Sequence, residues 1–78
     1  MNIRIRTIIA DNIRHLRNKK RLSQEGLADR AGVHRNYIGN IERCEKSVSV
    51  DLLADIADAL KVQPNALLIE NFYKTLEK

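Results

Sequence analysis

Apolar residues recur at spacings of three and four along most of the chain, the period of helices rather than of strands. Three glycines and one proline leave little material for the turns of a sheet, so the pattern predicts an all-α fold. A first helix is expected from about Thr7 to Lys20, with Ile9, Ile13 and Leu16 as its inner stripe and Arg17 beside them. The preceding "NIRIRT" alternates apolar and basic residues. It fits an extended arm, an early strand or a first helical turn. Ser23 is a good N-cap for a second helix over Gln24 to Ala31, and Gly32 permits the left-handed turn that ends it. A third helix runs from about His34 to Arg43. Ser47 and Ser49 mark a loop, and either Ser49 or Asp51 can cap a fourth helix that buries Leu52, Leu53, Ile56 and Leu60. Asp51, Asp55 and Asp58 share its solvated face. Pro64 suits the first turn of a fifth helix, continuing through Phe72 and Tyr73 to the C-terminus. The expected architecture is a compact five-helix single domain over residues 1–78, with no repeats and no linker.

The pair of helices over residues 24–43 carries the chemistry. Leu27 and Ala28 point inward, and small Ala28 lets a crossing helix approach closely. Gly32 makes a short turn, and Val33, Ile38 and Ile41 close the core of the pair. Two helices joined by a tight turn leave the second with an exposed face. At about 100° per residue that face centres on Asn36, Gly39, Asn40 and Arg43, with Arg35 one turn nearer the N-terminus. It holds hydrogen-bonding groups and a fixed positive charge, and no acid. Such a face fits the major groove of B-DNA, where Asn can pair with adenine and Arg with guanine. Gly39 would let the helix sit close to the bases. Gln24 opens the second helix, where free N–H groups and the helix dipole suit a phosphate. Arg43 and Lys46, at the far end of the pair, could hold another. Glu42 falls on the opposite side, beside Ile38 and Ile41.

Charge supports the same orientation. Residues 1–46 carry eleven Lys/Arg against five Asp/Glu, whereas residues 47–78 carry three against five, for a net +4. The basic half is the natural contact for a polyanion. A chain of 78 residues has a marginal core. One cysteine excludes an intrachain disulfide, and Cys44, His15 and His34 are too few and too scattered for a zinc site. A second subunit is the remaining support. No apolar run could span a bilayer and there is no signal-peptide pattern, so a soluble cytoplasmic chain is expected. There is no nucleophile–base pair, carboxylate pair or phosphate loop, and no enzyme or cofactor is expected.

The segment "LSQEGLADRAGVHRNYIGNIERCEKSVSVDLLADIADALKV" resembles the phage-repressor (lambda repressor/Cro) helix-turn-helix family, over about residues 8–69. The resemblance rests on Ser23-Gln24-Glu25, Leu27-Ala28, Ala31-Gly32-Val33, Tyr37-Ile38, Ile41-Glu42-Arg43 and the later Leu53, Ile56-Ala57, Leu60 and Val62. "AGVHRNYIGNIER" is similar in particular to controller proteins of restriction–modification systems. The resemblance implies a lambda-repressor-like domain that regulates transcription as a homodimer on double-stranded DNA, at a pseudo-palindromic operator. It implies base contact by Arg35, Asn36 and Asn40, and backbone contact by Gln24 and Arg43; Tyr37 and Lys46 join the phosphate set. It also implies a structural ion pair in which Glu42 holds Arg17. Two positions depart from the family pattern. Cys44 stands where glycine is usual, which in a left-handed conformation costs about 1 kcal/mol. Gly26 stands where a larger polar or charged residue is common.

Each of these readings has a plainer competitor. Asn36, Asn40 and Arg43 could be an ordinary solvated face, and it is the surrounding motif that favours DNA. Glu25 and Asp29 form an acidic i,i+4 pair that could meet RNA polymerase, or simply water. Apolar surface beyond the fourth helix, including Phe72 and Tyr73, is the expected dimer contact. An antitoxin that binds DNA and neutralises a partner is the rival function. Such proteins usually carry a separate partner-binding segment, and about nine residues follow Ile69.

Overall fold

A computed structural model describes residues 2–76. Four α-helices and two 3-10 helices follow one another: α1 (Ile3–Lys19), α2 (Gln24–Ala31), α3 (Arg35–Glu42), α4 (Val50–Leu60), and 3-10 turns over Pro64–Leu68 and Phe72–Leu76. The described residues contain no strand, so the all-α class holds. The opening "NIRIRT" is helical from Ile3 on, and α1 begins four residues before the expected Thr7. The Asn2 side chain accepts a hydrogen bond from the Ile5 N–H at 3.0 Å, which caps the helix there and extends the apolar stripe back to Ile5.

The other caps follow from short polar side chains. Ser23 Oγ accepts from the Gly26 N–H at 2.8 Å, and Ser49 Oγ from the Leu52 N–H at 3.1 Å. Ser49, not Asp51, is therefore the cap of α4. A Cβ on Gly26 would lie 3.2 Å from Ser23 Oγ, so the missing side chain leaves this cap unobstructed. His34 caps α3 through its ring Nδ1, which accepts from the Asn36 N–H at 3.1 Å. Gly32 ends α2 at φ 74°. Cys44, just past α3, has φ 62°, and its left-handed turn lets the Glu45 N–H reach the Asn40 carbonyl at 2.8 Å.

The core gathers Ile9, Ile13 and Leu16 of α1, Leu27 and Ala28 of α2, Ile38 and Ile41 of α3, and Ile56, Ala57 and Leu60 of α4, with Leu67 closing it. Leu52 and Leu53, expected inside, are only half-buried at its edge. Asp51, Asp55 and Asp58 face solvent.

The fifth helix is a correction. Its expected course breaks into two 3-10 turns, with Ile69 extended and Asn71 left-handed at φ 62°; the last two positions of that expected helix lie outside the described residues. The cause is Asn12, which is fully buried on α1. Its Nδ2 donates to the Leu67 carbonyl at 3.0 Å and to the Ile69 carbonyl at 2.9 Å, and its Oδ1 accepts from the Tyr73 N–H at 3.3 Å. A continuous α-helix would pair Ile69 with Tyr73 directly. Asn12 stands between them and satisfies both.

Candidate nucleic-acid interface

The exposed face of α3 is held from behind by Glu42. Arg17 Nε donates to Glu42 Oε2 at 2.7 Å and Arg17 Nη2 to Oε1 at 3.0 Å. The Arg17 and Glu42 side chains are 12% and 4% exposed. The remaining Arg17 Nη1 donates to the Leu22 carbonyl at 2.8 Å, and Gln24 Nε2 donates to Glu42 Oε1 at 3.2 Å. The Arg17–Glu42 pair thus ties α1, the loop before α2, the first residue of α2 and the last residue of α3. A bidentate arginine–carboxylate pair fixes angle as well as distance. Arg14, which the sequence did not single out, adds a long contact of 3.4 Å to the Glu42 carbonyl. No buried side-chain nitrogen or oxygen among the described residues lacks a partner.

On the outer side, Ser23, Gln24, Arg35, Asn36, Gly39 and Arg43 line a shallow polar hollow between the start of α2 and the face of α3. Arg35, at the first position of α3, reaches Glu25 Oε2 at 3.6 Å across this hollow. Both side chains are about two-thirds exposed, so the contact is worth little energy. Asn36, Tyr37, Asn40 and Lys46 line a second concavity beside it. Lys46 therefore stands next to the α3 face although it lies beyond the helix in sequence. Tyr37 is exposed and Gln24 half-buried.

Two arrangements differ from the simple helical face. Gly39 is not open. It lies buried beneath Gln24 and Arg43, where a Cβ would sit 3.4 Å from Gln24 Oε1 and 3.1 Å from Arg43 Nη1. Arg43 also does not point freely outward. Its Nη2 donates to Asn40 Oδ1 at 2.6 Å and its Nε to Glu45 Oε1 at 3.1 Å. The acid-free face thus has a carboxylate at its rim, supplied by the residue just past the left-handed turn. Glu25 and Asp29 are exposed on α2, and Glu25 is engaged by Arg35.

The Helix-turn-helix family model matches residues 13–67, more than half of the chain. The chain belongs to that family. It is 45% identical over 64 residues to control protein C.SmaI of Serratia marcescens, covering 82% of this chain and 76% of the relative. Control protein C.BamHI of Bacillus amyloliquefaciens is 42% identical over 69 residues, covering 87% and 85%. Among solved structures, the restriction-modification controller protein C.AhdI from Aeromonas hydrophila matches with a TM-score of 0.76 at 37% identity, over 80% of this chain and 94% of that one. The chain is a DNA-binding helix-turn-helix transcriptional regulator of the controller type. Its relatives are named as control proteins, not as enzymes. No helix among the described residues is long and apolar enough to cross a membrane.

Proposed function

We propose that this protein binds a pseudo-palindromic operator as a homodimer in the cytoplasm and controls expression of a restriction–modification system, its own gene included. The observation that carries this reading is the α3 face, whose orientation relative to α1 and α2 is fixed by the buried Arg17–Glu42–Gln24 junction. A reading helix must hold its angle, because small rotations move side chains off the base edges. In this reading Arg35, Asn36 and Asn40 meet bases. Gln24, Tyr37 and Lys46 meet phosphates on either side. Arg43 stands between the two classes, bonded to Asn40 on the face and to Glu45 at the rim.

The dimer contact in this reading is apolar surface around the start of α4. Phe72 and Tyr73 pack inward against the core, and Tyr73 stacks on His15 with ring centroids 3.9 Å apart. Exposed Val50 and Leu68 instead line a groove together with Ile5, Ile9, Val48 and Leu53. Activation would require RNA polymerase to meet the exposed acids of α2, Glu25 and Asp29.

Selection of bound duplexes from random DNA tests the reading. The expected result is an inverted repeat with half-sites about one helical turn, roughly 34 Å, or a near multiple apart. Recovery of unrelated sequences, or of a single half-site, would overturn it.

A further inference from the structure

We propose that Asn40 and Arg43 act as one reading unit that selects guanine in each half-site, an inference that rests on the operator-binding reading and adds the base chemistry to it. An asparagine that reads adenine must accept from the adenine N6 amino group through Oδ1 while Nδ2 donates to N7. Here the Asn40 Oδ1 already accepts a short charge-assisted bond of 2.6 Å from Arg43 Nη2. An adenine amino group brought to the remaining lone pair would face the guanidinium, donor against donor. Beyond that bond the pair carries the Asn40 amide N–H2 and the remaining guanidinium N–H groups, all donors. Guanine is the base whose major-groove edge presents two adjacent acceptors, N7 and O6.

The surroundings keep the unit in place. Glu45 Oε1 accepts from Arg43 Nε at 3.1 Å, which sets the plane of the guanidinium. The same carboxylate repels a phosphate and makes Arg43 a poor backbone ligand. The absent side chain of Gly39 gives the guanidinium its seat, since a Cβ there would lie 3.1 Å from Nη1. Asn40 and Arg43 are three residues apart on one helical face, so both donors reach a single base step. The expected preference is therefore guanine where a lone asparagine would have specified adenine.

Random-DNA selection is run on the wild type, Asn40→Ala and Arg43→Ala, with thermal melts to confirm that each is folded. The wild type is then titrated with its selected duplex carrying 7-deazaguanine, which lacks only the N7 acceptor, at each guanine in turn. One guanine per half-site should be shared: both variants relax preference at that position. 7-deazaguanine there should weaken wild-type binding about tenfold, and Asn40→Ala much less. The inference is overturned if Asn40→Ala relaxes an A·T position while Arg43→Ala weakens all sequences alike. That result would mean that the bond opens on DNA, leaving an adenine contact and a separate phosphate contact. If the wild type selects no common sequence at all, the operator-binding reading falls first and this inference with it.

Discussion

Glu42 and Glu45 lie three residues apart, yet their carboxylates stand in opposite environments. Glu42 is buried and receives three donors from Arg17 and Gln24, whereas Glu45 is more than half exposed and meets Arg43. Removing one partner of a buried pair leaves an uncompensated charge and costs about 3 kcal/mol or more. An exposed pair contributes about 0–1 kcal/mol. Glu42→Ala should therefore lower Tm by more than about 10 °C in a domain of this size, while Glu45→Ala shifts it by a few degrees at most. Equal melting temperatures would contradict the role of Glu42. Cys44 gives a prediction of opposite sign. It adopts a left-handed conformation at φ 62°, which glycine adopts without steric cost. Cys44→Gly should raise stability by up to about 1 kcal/mol in denaturant titrations; a decrease would mean that its contact with Thr7, 4.0 Å from sulfur to hydroxyl, outweighs the strain. The motif made Glu42 conspicuous in the sequence, because an acid stood beside two core isoleucines. It gave no sign that Glu45 would turn back onto Arg43, since the bend at Cys44 sets that approach and no helical spacing describes it.

At the scale of elements, α2, Gly32 and α3 were legible because each boundary is written in a residue with one local solution: Ser23 as cap, Gly32 as left-handed terminator, the apolar pair Ile38 and Ile41 as seam. The start of α1 was ambiguous, because alternating Ile and Arg satisfies a strand and a helical turn equally. Asn2 decides it by a bond that pattern alone does not reveal. The broken fifth element was not legible at all. Pro64 and the following apolar residues fit a helix, and the interruption comes from Asn12, more than fifty residues away along the chain. The available clue was a polar residue inside the stripe of Ile9 and Ile13. Asn12→Ala should leave the Leu67 and Ile69 carbonyls short of a donor and cost about 1–3 kcal/mol. Hydrogen exchange should then show the Tyr73 amide losing protection well before the α2–α3 amides. Unchanged exchange at Tyr73 would show that packing alone shapes the C-terminal turns.

For the whole molecule, the reading requires two surfaces on a small domain, a polar one that meets DNA and an apolar one that meets a second copy, with Lys46 at the edge of both. Val50 is 82% exposed and sits at the first position of α4. A glutamate there is favoured by the helix dipole and disturbs no core packing, so Val50→Glu should shift sedimentation from dimer to monomer and lower Tm only by what association contributes. A dimer unaffected by that charge would place the two-fold axis elsewhere. The polar surface decides the function. Asn40 and Lys46 line one concavity beside α3. Lys46→Ala should weaken binding to every duplex and lower the slope of log affinity against log salt by about 0.9, the share of a single neutralised phosphate. The most direct test of the account is the affinity of Asn40→Ala for the selected duplex and for its scrambled counterpart, measured side by side with the wild type over a range of salt. A weakening by about 1–3 kcal/mol on the selected duplex, with affinity for the scrambled duplex unchanged, is the predicted result. An equal weakening on both duplexes would contradict it, because α3 would then be an electrostatic surface that reads no sequence.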